Sequence, residues 1–214
     1  MKFDVIVVGA GTAGCMAAYS AAKEGISKII LIDKKSKNQI GNKICGDGIG
    51  INHLTFLEDN GFPIKESNII LNKIKTAYLV SPNSTIEDKI NIEGHLAIID
   101  RYNFGQTLLK GVLEQRVKLL DKSTIKTIKR KTNEIELNVE RKDGESLTIR
   151  APLVIDCSGF HSKIREKSNF FDENYTIKDD EQYYCYREIS EIENAPDMYI
   201  DSAIFEFSYE KTKG

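Results

Sequence analysis

Residues 9 to 14 read Gly-Ala-Gly-Thr-Ala-Gly, a G-x-G-x-x-G spacing directly after the apolar run Phe3 to Val8. Each glycine can serve a bound phosphate. Gly9 permits a sharp turn, Gly11 lets backbone approach a pyrophosphate with no Cβ in between, and Gly14 lets a following helix sit close to the strand. Ala13 falls in the first turn of that helix, whose N-terminus offers unpaired N–H groups and a partial positive charge to an anion. Asp33 and then Lys34 end a second apolar run, Lys28 to Ile32. At about 20 residues past the motif, such a carboxylate can accept hydrogen bonds from an adenosine ribose. Strand, helix and acid together point to a dinucleotide, and NAD and FAD both fit.

A second stretch, Lys43-Ile44-Cys45-Gly46-Asp47-Gly48-Ile49-Gly50, sets one thiol among three glycines. Gly46 and Gly48 could bring backbone N–H groups against a flat ring, and a thiol is small enough to lie beside it. Cys45 reads equally as a small apolar residue in a turn. Further on, Val154 to Arg165 (VIDCSGFHSKIR) is an apolar run entering a turn with Asp156 and Gly159. Asp156 can cap the next element or belong to a site. Cys15 and Cys157 read as packing residues. His53, His95 and His161 have no partner at metal or triad spacing, so no metal is expected.

The elements that must position these groups follow from periodicity. Phe3–Val8, a helix over Thr12–Glu24 ended by Gly25, and Lys28–Ile32 form a βαβ unit, its strands apolar throughout as in a parallel sheet covered on both faces. A short helix is expected between Ile51 and Asn60, then strands at Lys75–Val80 and Leu96–Ile99 with a hairpin-like excursion between them. Arg101–Arg116 carries Phe104, Leu108, Leu109, Val112 and Leu113 at helical spacing. Thr124–Arg150 contains three alternating runs with Asp143-Gly144 as a hairpin turn, an antiparallel meander. Leu153–Ile155 returns to a buried strand. Asn169–Asp180 reads as a polar linker, and Gln182–Ile189 and Met198–Ser208 as strands of another sheet.

With 214 residues, 41% of them apolar and 29% charged, the chain can build a core, and its net charge of −2 gives no global attraction for nucleic acid. The basic Ile125–Lys131 run lacks interleaved aromatics and reads as a solvated strand face. Four cysteines without C-x-x-C spacing suit reduced thiols and a cytoplasmic setting. Asp4 and three glycines interrupt the apolar opening, so no membrane-spanning helix is expected.

The opening FDVIVVGAGTAG with Asp33 resembles the FAD-binding start of the glutathione-reductase-like flavoproteins that include p-hydroxybenzoate hydroxylase. Asp100-Arg101 before RYNFGQTLL resembles that family's arginine near the FAD phosphates, and VIDCSGFHSKIR its D-x-S-G-x-x-S-x-x-R segment. Within the group, KICGDGIG is similar to the cysteine-glycine loop of the geranylgeranyl reductases. The resemblance implies a Rossmann-like α/β FAD-binding domain over residues 1–168, with the 124–150 meander, and the start of a mainly antiparallel, incomplete substrate domain over 181–214. No later G-D motif follows. It also implies FAD held by Gly9, Gly11, Ala13, Gly14, Asp33, Lys34, Cys45, Gly46, Gly48, Arg101, Ile125, Asp156 and Gly159, with Cys45 catalytic. The implied reaction is reduction of isolated prenyl double bonds, with an isoprenoid lipid substrate, a reduced electron donor and peripheral membrane contact. The other readings are an FAD-dependent monooxygenase and a nucleotide-binding module without catalysis.

Overall fold

The computed structural model describes residues 1–65, 68–81, 85–160, 162–168, 186–196 and 199–206, which divide into two compact units. The first comprises residues 1–43 and 102–185, the second 44–101 and 186–214. In the second, strands within residues 70–99 share a sheet with one at 202–206.

In the first unit, β1 (Val5–Val8), α1 (Thr12–Lys23) and β2 (Ile29–Ile32) make the expected βαβ. β6 (Lys118–Leu120) lies outside β2 and β10 (Leu153–Asp156) outside β1, all parallel, in the order β10-β1-β2-β6. Every residue of β1 and β2 is buried. One face presents Ile6, Val8, Ile30 and Ile32 to Ile125, Ile128, Leu137, Val139 and Ile149 of the meander. α1 packs against β1 and β2 and buries Cys15, Ala18 and Tyr19. Each such large aliphatic side chain contributes about 1.5–3 kcal/mol on burial, which is why short strands suffice. The chain leaves β1 towards β2 on one side and receives β10 on the other, so Gly9 follows β1 at the point where the winding reverses and ligands of open α/β sheets sit.

The meander is β7 (Ser123–Arg130), β8 (Ile135–Arg141) and β9 (Ser146–Ala151), antiparallel throughout. Gly144, at φ +90°, makes the β8–β9 turn, closed by the Arg141 N–H donating to the Glu145 carbonyl at 2.9 Å. α3 (Arg101–Glu114) buries Phe104, Leu108, Leu109 and Val112 as the spacing predicts. A 3₁₀ turn at Lys37–Gln39 is tied to α3 by the Gln106 amide, which donates to the Lys37 and Ile40 carbonyls at 2.9 and 2.6 Å. The short helix α4 (Lys163–Lys167) follows the turn after β10.

The second unit holds α2 (Ile51–Asp59) and a sheet of order β11-β4-β5-β3, formed by β3 (Gly48–Gly50), β4 (Ile70–Val80), β5 (Ile86–Ile99) and β11 (Ser202–Glu206). β4 and β5 run longer than their apolar segments, because the first half of β5 is exposed on both faces and so shows no alternation. β3 is a glycine-rich edge strand paired antiparallel with β5, where the sequence reads only a loop. β11 falls inside the Met198–Ser208 run. Of the expected strand Gln182–Ile189, residues 186–189 have no regular structure, and Tyr186 and Ile189 are exposed. Residues 181–185 and the expected linker 169–180 lie outside the described residues. Among the described residues no helix is long and apolar enough to cross a membrane.

Candidate cofactor site

Gly9 leaves β1 at φ +98°, and its N–H donates to the Ile32 carbonyl at 2.7 Å. A Cβ here would strike the Cys157 carbonyl, and one at Gly14 would collide with the carbonyl oxygen of Gly9. Those two glycines are therefore demanded by packing. Gly11, the N-cap of α1, differs: a Cβ there would meet nothing within 4 Å, and no side chain caps the helix. Its missing side chain leaves open space at the positive end of α1, where a pyrophosphate would be favoured.

Asp33 is fixed from both sides. Its Oδ2 accepts the Ala10 N–H at 2.6 Å and its Oδ1 the Lys35 N–H at 2.7 Å. Each oxygen keeps a further lone pair, enough to accept from the two hydroxyls of a ribose. The Ser123 N–H donates to the Asp33 carbonyl at 2.9 Å, which seats the start of β7 beside the end of β2. Between them lies a cavity of about 180 Å³ lined by Gly9, Asp33, Lys34, Ser123, Ile125 and Ser158, with Val8, Ile32, Thr124 and Ile164 completing the wall. Apolar wall, carboxylate, amides and a lysine suit a purine nucleoside joined to phosphate, so these residues fit the adenylate end of FAD.

Asp156 resolves as a support for the turn. Its Oδ1 accepts from the Ser158 N–H at 3.0 Å and the Ser158 hydroxyl at 2.6 Å, and its Oδ2 accepts from the Ser162 hydroxyl. Ser162 Oγ accepts the Arg165 N–H at 2.9 Å and so caps α4. The Arg165 guanidinium donates to the Phe160 carbonyl at 2.6 Å. Gly159, at φ +86°, is exposed in the same turn. Burial, and secondarily the Asp33 carboxylate, pushes the Cys15 thiol up to about 12, so it stays protonated and inert. Burial followed by Asp156 also raises Cys157.

Four of the expected residues, Gly9, Asp33, Lys34 and Ile125, line the cavity, while Gly11, Ala13 and Gly14 lie at the start of α1 beside it. Cys45, Gly46, Gly48 and Arg101 belong to the second unit. There Cys45 is half-buried, Gly46 and Gly48 are exposed, and Arg101 opens α3 half-buried. Asp47, between the glycines, is buried at φ +59°; its carbonyl accepts the Ile99 N–H at 3.0 Å and its Oδ2 pairs with Arg187 Nη1 at 2.8 Å. Sequence reasoning passes over Ser123, Thr124, Ile164 and Asp47. Only Ser158 carries a signal, as the serine of the D-x-S-G segment. Among the described residues no group of His, Cys, Asp and Glu is placed to hold a metal.

The family described as FAD dependent oxidoreductase matches residues 4–160, from the start of β1 through the turn after β10. The chain belongs to that family. Family membership assigns FAD as the cofactor. Relatives include digeranylgeranylglycerophospholipid reductases from Sulfolobus acidocaldarius, 31% identical over 78% of this chain and 36% of its own length, and from Methanococcus vannielii, 32% identical over 77% and 40%. The chain thus spans about two fifths of the curated relatives it matches. A geranylgeranyl bacteriochlorophyll reductase-like structure from Thermoplasma acidophilum superposes with a TM-score of 0.64 at 24% identity, covering 79% of this chain and 41% of that one. The p-nitrophenol 4-monooxygenase of Pseudomonas putida does so with 0.65 at 14%, covering 78% and 44%. Both establish the Rossmann-like α/β fold of the family.

Proposed function

We propose that this chain is the cofactor-binding part of an FAD-dependent reductase that saturates isolated double bonds in prenyl chains of lipids. The observation that carries this reading is 31% identity over 169 residues to a digeranylgeranylglycerophospholipid reductase. Residues 1–168 would supply the FAD-binding region and 181–214 the beginning of the part that meets substrate. Gly11 and Ala13 give backbone to the pyrophosphate, Asp33 accepts the ribose hydroxyls, Ile125 walls the adenine, and Lys34 and Arg101 offset phosphate charge. Gly14 and Asp156 act through the turns they hold, and Gly9 and Gly159 shape them. Gly46 and Gly48 give backbone to the flavin end of the coenzyme.

When bound and reduced, FAD supplies a hydride to one alkene carbon. The other carbon needs a proton, because an unactivated alkene cannot stabilise a carbanion. In this reading the half-buried thiol of Cys45 holds that proton or relays it from water. A reduced electron donor must restore the cofactor, and a prenyl lipid implies peripheral contact with a membrane surface. The monooxygenase reading draws on the p-nitrophenol 4-monooxygenase likeness and shares the same nucleotide cradle.

The test is an absorption spectrum of the purified chain with and without FAD, then turnover of the full-length protein with dithionite and a geranylgeranylated glycerolipid, read by mass spectrometry. Bound flavin and a gain of two mass units per reduced bond are expected. Cys45→Ala is expected to lose most of the rate with FAD retained. Oxygen-dependent NAD(P)H consumption on an aromatic compound, without alkene reduction, would replace this reading by the monooxygenase one.

A further inference from the structure

Every polar group of Asp33 has a partner in the first unit. Its two carboxylate oxygens take the Ala10 and Lys35 N–H groups, its N–H donates to the Leu120 carbonyl at 3.0 Å, and its carbonyl accepts the Ser123 N–H at 2.9 Å. The last two partners belong to the corner between β6 and β7. That corner goes on tracking the loop beyond Asp33: the Lys122 N–H donates to the Lys35 carbonyl at 2.9 Å, and Asp121 Oδ2 accepts the Lys37 N–H at 2.7 Å. Residues 33–37 are thereby laid along residues 120–123.

The corner must itself be held in shape. Lys122 sits at φ +50°, a conformation that costs a residue with a side chain. Ser123 Oγ closes the bend across it by donating to the Asp121 carbonyl at 2.8 Å, a local bond that offers the backbone an alternative to continuing as strand. The Lys142 N–H, just past β8, donates to the Lys122 carbonyl at 2.8 Å and steadies the same peptide. Ser123 is 2% exposed and lines the cavity beside Asp33, yet its hydroxyl proton is committed to the corner and not to a ligand. Most of these links join main chain to main chain. Asp121 Oδ2 and Ser123 Oγ are the side-chain atoms of the corner that take part.

We propose that Asp121 and Ser123 are positioning residues for the ribose carboxylate: Ser123 shapes the corner and Asp121 anchors the far end of the loop, so that Asp33 meets the adenosine hydroxyls in one fixed orientation. This rests on the reading that Asp33 accepts the ribose hydroxyls of the coenzyme. Both residues set nucleotide affinity through Asp33.

The experiment measures, by calorimetry on flavin-free protein, the affinities for ADP and for dideoxy-ADP, whose ribose lacks both hydroxyls. Their ratio reads the ribose contact, and a cradle that is merely loosened leaves it unchanged. The parent chain is expected to favour ADP by about tenfold or more, the worth of a hydrogen bond to a charged group. Ser123→Ala and Asp121→Ala are expected to cut that preference to about threefold or less by weakening ADP, with dideoxy-ADP held within about twofold of the parent. Asp121→Asn keeps an acceptor for the Lys37 N–H and restores the preference. Asp33→Ala abolishes the preference by itself, and adding Ser123→Ala to it weakens ADP no further.

A preference unchanged in both alanine variants, ADP and dideoxy-ADP weakening in parallel, Asp121→Asn as impaired as Asp121→Ala, or additive losses in the double variant overturns the proposal. If Ser123→Ala does not fold, the two Asp121 variants decide. A parent chain that binds neither ADP nor FAD overturns the functional reading itself, and one that binds ADP and its dideoxy analogue equally overturns the ribose role of Asp33 and the proposal with it. A parent that prefers ADP, with corner variants that keep its preference, overturns only the positioning role.

Discussion

Two glycine-rich stretches of this protein use the same residue for opposite reasons. In Gly9–Gly14, the first and last glycines face backbone that a methyl group could not share, so the loop exists only as glycine. In Cys45–Gly50, a Cβ at Gly46 would meet nothing within 4 Å, and one at Gly48 would lie 3.7 Å from Leu96 Cδ1, an ordinary contact. The acids differ as well. Asp33 receives two backbone donors inside its own unit, whereas Asp47 has an arginine on one oxygen and nothing on the other. The first loop satisfies its acid with backbone alone; the second leaves one carboxylate oxygen without a partner.

One identical substitution breaks this contrast most directly. Gly14→Ala is expected to cost more than about 4 kcal/mol, because the new methyl must displace the Gly9 carbonyl and with it the end of β1. Urea denaturation or simple recovery of soluble protein reads it, and an unchanged midpoint would show that α1 can slide away from β1. Gly46→Ala should do the reverse, stabilising by up to about 1 kcal/mol through loss of unfolded-state freedom. A large destabilisation there would mean that the second loop is as tightly built as the first.

The smallest effect lies in the meander and distinguishes charge from packing as the support of the first unit. Lys131 and then Arg150 hydrogen-bond Glu136, at 2.5 and 2.7 Å, and bring its carboxyl down to about 2 from an ordinary 4.5. Its folded value lies below its unfolded one, so its contribution is present above about pH 4.5 and is lost as the pH falls towards 2. The difference in melting temperature between the parent and Glu136→Gln should therefore narrow across that window. A constant gap would show that shape, not ionisation, is what the glutamate contributes.

Much of the first unit was legible because its signals are local. Val5–Val8 and Ile29–Ile32 are unbroken apolar runs, and Asp143-Gly144 names its own turn. Asp33 was legible from spacing, yet its partners Ala10 and Lys35 were not, since backbone donors leave no mark on composition. Ser123 and Ile164 reach the cavity only through the pairing of β2, β6 and the meander, a long-range outcome no window of residues contains. The glycines of β3 hid a strand because pairing with β5, not side-chain propensity, makes it one. Asp47 was hidden for the same reason: its ion-pair partner, Arg187, lies far along the chain.

The register of the parallel sheet also has a cost in time. Val5 has Leu153 as its neighbour in β10, so one edge of β1 stays open while the roughly 150 residues between them are synthesised. At about 5–20 residues per second this exposes an apolar strand for on the order of ten seconds. During that interval β1 is a sticky end, and chaperone capture or misassociation competes with closure.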